Sequence, residues 1–204
     1  MGILFTLSSL LFLAGVLDPP ILPTWGGSAS DIMATASAHR TAWFASTWLI
    51  TLSITAGLAA VELVVRTIDT DLARVGRGLY VVGSALGLAS TTYDLTVAST
   101  LLGAHTLPDW YLGVQHWADG LGTAYFALSA PAAMGCIGAA ILRSRTLPAW
   151  TGCLFLIAAF LLLGQYALFR GALPFPQFLA FLALGIAASV QRATPSHSRR
   201  PGGW

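Results

Sequence analysis

All but three of the charges of this chain, Glu62, Asp94 and Asp119, lie between or beyond long apolar runs. Six such runs can be laid down, most of about 15 to 25 residues, the length at which a helix crosses a hydrocarbon core, and the fourth longer than needed. They cover residues 2–17, 41–65, 78–102, 110–142, 149–168 and 177–190. Of 204 residues, 56% are hydrophobic and only 9% charged, where a soluble domain would carry about 25% charged residues. The expected fold is therefore all-α, a polytopic membrane bundle of six transmembrane helices. Residues 1–192 form one bundle and 193–204, rich in Arg, Ser and Pro, a disordered cytoplasmic tail. Residues 18–40 read as the longest loop, 66–77 as a charged connection, and Pro131 as a kink in the fourth span. The first run lacks a positively charged leader and a small-residue cleavage site, so it is expected to stay as a helix of the mature protein.

Arginine placement orients the bundle. Arg66, Arg74, Arg77, Arg143, Arg145, Arg192, Arg199 and Arg200 fall on one side, and only Arg40 and Arg170 on the other. The positive-inside rule then makes both termini cytoplasmic. Trp25, Trp43, Trp48, Trp110 and Trp117 gather toward the outer end, as an interfacial aromatic belt does. All ten cationic residues are arginine, which excludes any mechanism built on a lysine imine. Arginine and alanine abundance without lysine points to a bacterial coding bias, and so to a multi-pass protein of the bacterial inner membrane. The net charge of +2, with no basic patch outside the flanking loops, argues against a nucleic-acid partner. Cys136 and Cys153 lie in apolar runs and read as packing residues. Oligomeric state is not legible.

Two polar stretches interrupt the apolar runs: Ser90-Thr-Thr-Tyr-Asp94 and Gln115-His-Trp-Ala-Asp119-Gly-Leu-Gly-Thr123. A carboxylate at membrane depth costs a few kcal/mol and normally faces a bundle interior or a wet cavity. Asp94 shares a helical face with Gly83, Gly87, Ser90 or Thr91, and Ala98, small residues that let helices approach closely. Gln115, His116, Asp119, Gly122, Thr123 and Phe126 fall on one side of the next span. Both aspartates lie roughly 12–14 Å below the outer ends of consecutive antiparallel helices, so they are expected to meet across a pocket. Two close carboxylates do not ionise together easily, leaving one as an acid donor and His116 as a proton relay. Glu62 is a third candidate acid, with Arg66 at i+4 as its simplest partner. Trp48, Tyr93, Trp117, Thr123, Tyr125 and Phe126 are candidate substrate-binding residues, the aromatic ones offering π-faces to a cation.

The alternative for each acid is structural, a hydrogen bond to Ser, Thr or Tyr that locks the bundle. Thr47, Thr51, Thr55, Leu58 and Glu62 form one stripe that lines a cavity or glues helices. His39 and His105 sit in or beside loops without a metal-ligand or haem spacing, so no metal and no cofactor is expected. No phosphate loop, dinucleotide fingerprint or nucleophile elbow is present.

The runs Asp94-Leu-Thr-Val-Ala98 and Leu142-Arg-Ser-Arg-Thr-Leu-Pro-Ala-Trp150-Thr-Gly152 resemble small six-helix integral membrane proteins of actinobacteria of unknown function. That resemblance implies the fold and no activity. In build, a short aromatic-rich bundle with a few intramembrane acids, the chain is similar to small integral-membrane terpene cyclases. That likeness implies an isomerase or lyase acting in isoprenoid biosynthesis, which protonates a lipophilic substrate and guides a carbocation past aromatic faces. The reading that follows is an integral-membrane enzyme using intramembrane acid catalysis by Asp94, Asp119, His116 or Glu62. Its partners are a lipophilic small molecule and membrane lipid. The competing reading is a non-enzymatic accessory subunit, lipid binder or small permease.

Overall fold

The structure, a computed structural model, describes residues 2–24, 27–104, 106–169 and 175–193. It is all-helical, 88% helix, with no strand among the described residues. Helix α1 (Gly2–Val16) leads to a 3-10 turn (Leu22–Thr24), then α2 (Ala29–Ala38), α3 (Arg40–Ile68) and α4 (Asp71–Tyr93). Helix α4 runs on into a π-helical turn (Asp94–Ala98). Helix α5 (Asp109–Ala127) continues through a second π segment (Leu128–Met134) into α6 (Gly135–Ser144), and α7 (Ala149–Phe169) and α8 (Phe175–Ala193) complete the fold. Three helices are long and apolar enough to cross a membrane: Arg40–Ile68, Asp109–Ser144 and Ala149–Leu168. Gly2–Val16 and Phe175–Ala188 are shorter apolar helices. Helix α4 falls outside both groups, carrying Asp71, Arg74 and Arg77 in its first two turns.

Two stretches read as connections are helical. The 18–40 segment contains α2, because Ser28 and Asp31 form a capping box that satisfies the first free amides. The 66–77 segment is a turn of only Asp69 and Thr70 between α3 and α4. Asp69 takes the left-handed conformation (φ 44°) that closes α3, one that Asp tolerates better than most residues. Thr70 caps α4 by accepting from the Ala73 amide. Pro131 lies inside the π segment rather than at a break. A proline has no N–H to donate and its ring crowds the carbonyl one turn back; the wider turn makes room while the helix continues. Trp25, His105, Arg170 and the expected tail from residue 194 on lie outside the described residues.

Polar atoms and small residues set the helix pairings. Ser8 and Ser53 donate to each other's backbone carbonyls (2.9 and 2.7 Å), and Ser46 donates to Gly15 O at 2.6 Å. These pairs define α1 and α3 as antiparallel neighbours. Phe12 stacks on Phe178 with centroids 3.9 Å apart, and Ser9 donates to Phe178 O, so α8 covers another side of α1. Gly138 on α6 and Gly152 on α7 meet backbone to backbone: a Cβ on either would lie 2.8–2.9 Å from the other's carbonyl oxygen. Gly83 and Gly87 let α4 approach the Tyr125–Ser129 stretch in the same way. The main core holds Phe5, Phe155, Phe178, Phe181, Met134 and Ile137, all buried.

Candidate functional site

A cavity of about 700 Å³ opens between α3 on one side and α4 and α5 on the other. That volume is within the roughly 300–1,000 Å³ range of small-molecule sites. Phe12 closes it from α1, Ile21 and Thr24 from the 3-10 region, Ile32 from α2 and Gln165 from α7. Helix α3 contributes Trp43, Ser46, Thr47, Ile50 and Ile54. Helix α4 contributes Gly87, Ser90 and Thr91, and the π turn begins with Asp94 in the wall. From α5 come Gln115, Ala118, Asp119, Gly122, Thr123, Tyr125 and Phe126.

Asp94 and Asp119 thus line the same space, within electrostatic range of each other. Their surroundings differ. Asp119 accepts from Gln115 Nε2 at 2.9 Å, and Gln115 Oε1 accepts from both Tyr93 and Tyr111 hydroxyls at 3.0 Å. Tyr93 (4% exposed) and Tyr111 (0%) are buried, so their hydroxyls need the Gln115 oxygen. That requirement turns the amide N–H toward Asp119. Asp94 is half-buried, and its carboxyl has no hydrogen bond among the described residues. The hydroxyl protons nearby are already spent on backbone carbonyls. Ser46 donates to Gly15 O, Thr47 to Trp43 O, Ser90 to Ala118 O, Thr91 to Leu88 O and Thr123 to Asp119 O.

Several candidate residues fall elsewhere. His116 is exposed and outside the cavity wall. It is one residue, about 100° of helix rotation, away from Gln115, whose face looks inward. Trp48 (53% exposed) and Trp117 (61%) are likewise rotated onto the outer surface. Tyr93 belongs to the Gln115 network and is not part of the wall. Thr123, Tyr125 and Phe126 do line it. Glu62 lies far from the cavity and is ion-paired to Arg66 Nε (2.9 Å) and Arg77 Nε (2.5 Å). Of the threonine stripe, Thr47 reaches the wall, while Thr51 and Thr55 donate to carbonyls one turn back.

The residue with the most structural connections, Gln115, was visible only as a member of a polar face. Its spacing of four from Tyr111 and four from Asp119 was the available signal. Among the described residues no three His, Cys, Asp or Glu side chains come together, and Cys136 and Cys153 are free thiols.

Fold and site together define an all-helical protein with three helices long and apolar enough to cross a membrane and a largely apolar, ligand-sized cavity holding two carboxyl groups. No family model, no curated protein and no solved structure matches the chain.

Proposed function

We propose that this chain is an integral-membrane enzyme of terpene-cyclase type, acting on a lipophilic, isoprenoid-like substrate by acid catalysis in the cavity. Asp94 carries the reading. A carboxyl retained only for packing would be bonded, as Asp119 is to Gln115. An unpartnered one in a largely apolar space costs stability, and a chemical role explains its retention. In this reading Asp94 delivers a proton to the substrate and Asp119 takes one from the resulting cation. The product is then an isomer and no redox cofactor is consumed. Trp43, Tyr125 and Phe126 supply the aromatic faces along the wall. His116, Glu62, Trp48 and Trp117 have no part in it.

The same reading takes α1, α3, α4 with its π turn, α5–α6, α7 and α8 as six spans of a bacterial inner membrane. With the arginines taken by the positive-inside rule, both termini are cytoplasmic in this reading. The cavity then sits in the outer half, roofed by α2. One observation favours the non-enzymatic alternative: Asp119 belongs to a buried tyrosine–glutamine network of the kind that locks helices together.

The test compares wild type with Asp94→Asn in lipid nanodiscs, incubated with linear isoprenoid alcohols and their epoxides. Products of unchanged mass and altered retention are followed by chromatography with mass detection. Loss of a general acid removes about 10²- to 10⁴-fold, so Asp94→Asn should form product at least about 100-fold more slowly while unfolding at the same midpoint. No isomer from wild type, or equal rates for the two proteins, refutes the reading.

A further inference from the structure

We infer that the cavity takes a lipophile bearing a neutral oxygen acceptor, a hydroxyl, ether or carbonyl group, and that the indole N–H of Trp43 is the donor that recognises it. This deepens the catalytic reading by naming the functional group of its substrate, and it rests on the same assignment of the cavity as the ligand site. Trp43 stands apart from the other tryptophans. Trp48 (53% exposed), Trp110 (50%), Trp117 (61%) and Trp150 (39%) lie on the outer surface, where an interfacial belt would hold them. Trp43 is 7% exposed, packs with Ile21 and Ala36, and forms part of the α3 side of the wall. Its N–H has no acceptor among the described residues. An indole nitrogen only donates, and a buried one is normally satisfied. The group that matches it is therefore an acceptor.

The rest of the wall decides which acceptor. It holds Asp94 and Asp119 and, among the described residues, no arginine or histidine. A phosphate or carboxylate headgroup would meet like charge with no cation to offset it, so the oxygen is neutral. The serine and threonine hydroxyls of the wall donate to backbone carbonyls and do not compete for it. Phe12, Ile50, Ile54 and Phe126 enclose the apolar body of the ligand. A pure hydrocarbon would fill the same volume and leave the indole unsatisfied. A lipid ammonium would offer the indole no acceptor.

Farnesol, farnesyl methyl ether and farnesene are the probes: similar apolar chains ending in a hydroxyl, an ether oxygen or no oxygen. Each is added to nanodiscs holding the full-length protein with its nitrogens isotope-labelled, and the indole N–H resonances are followed by NMR. The chain has seven tryptophans, and the Trp43 signal is the one lost in Trp43→Phe. Farnesol and the ether should move the Trp43 indole proton downfield, the signature of a new hydrogen bond, and farnesene should leave it in place. In equilibrium dialysis against empty nanodiscs, wild type should hold farnesol and the ether about three- to tenfold more tightly than farnesene, the net worth of one neutral hydrogen bond. Trp43→Phe keeps an aromatic ring and should bind all three alike. If that variant does not fold, the resonance is assigned by replacing the other tryptophans in turn, and the shift in wild type decides. A Trp43 proton already at a hydrogen-bonded position without ligand, or one that no probe moves, overturns the inference. So does an oxygen preference that survives Trp43→Phe. Oxygen-dependent binding without isomerisation keeps it and removes the catalytic reading. Isomerisation with no response at Trp43 does the reverse.

Discussion

Replacing Gln115 with leucine should destabilise the bundle, and the hydrogen bonds around it set the amount. Leucine is close in volume, so packing changes little. The variant removes the oxygen that accepts from Tyr93 and Tyr111 and the N–H that reaches Asp119. Asp119 is exposed and finds other solvation. The tyrosines are buried, and both hydroxyls converge on the one Gln115 oxygen. Without it at least one buried donor is left unsatisfied, at a cost of about 1–3 kcal/mol. The triple variant Gln115→Leu/Tyr93→Phe/Tyr111→Phe removes every polar partner at once and should recover most of that loss, since matched removal of both sides of a hydrogen bond is nearly neutral. Reversible unfolding in mixed micelles, followed by circular dichroism, measures both. A Gln115→Leu protein as stable as wild type refutes the argument. So does a triple variant less stable than the single one.

Three further outcomes follow from the geometry. Gly87→Ala would put a Cβ 2.9 Å from Tyr125 Cγ and 3.2 Å from Ile54 Cδ1, so it should cost about 1–3 kcal/mol by overpacking in the same unfolding assay. Gly113→Ala meets nothing within 4 Å and should stabilise α5 by up to about 1 kcal/mol; destabilisation there would mean that this face of α5 is covered. Glu62→Gln breaks two ion pairs with largely exposed arginines and should change stability by less than about 1 kcal/mol, with ligand affinity unchanged. A shift in ligand binding in that variant would tie the far end of the bundle to the cavity.

The helices were legible because apolar run length reports directly on what each segment must bury. The expected runs agree with α1, α3, α7 and α8 to within a few residues. Helix α2 was not legible, since it is short, moderately polar and flanked by Pro and Gly; only Ser28 and Asp31 announced it. The aspartates could be placed at one level because helical rise is uniform. Which neighbours shared their face was harder: one residue of rotation separates Gln115 from His116, and Trp48 from Thr47. Whether Asp94 had a partner depended on hydroxyls across three helices. Their choice of backbone carbonyls one turn back, as Thr47 and Thr123 make, is a local competition that spacing alone does not decide.

The wide turn that begins at Asp94 has a consequence for how such a chain could have arisen. A π turn is an α-helix accommodating an additional residue. A relative one residue shorter between Ser90 and Ala98 would carry an uninterrupted α-helix, with everything beyond the deletion swung by about 100°. In an alignment of such relatives, a single-position gap after Asp94 would mark chains whose helix end toward Leu102 is rotated, while the position of Asp94 itself keeps its face.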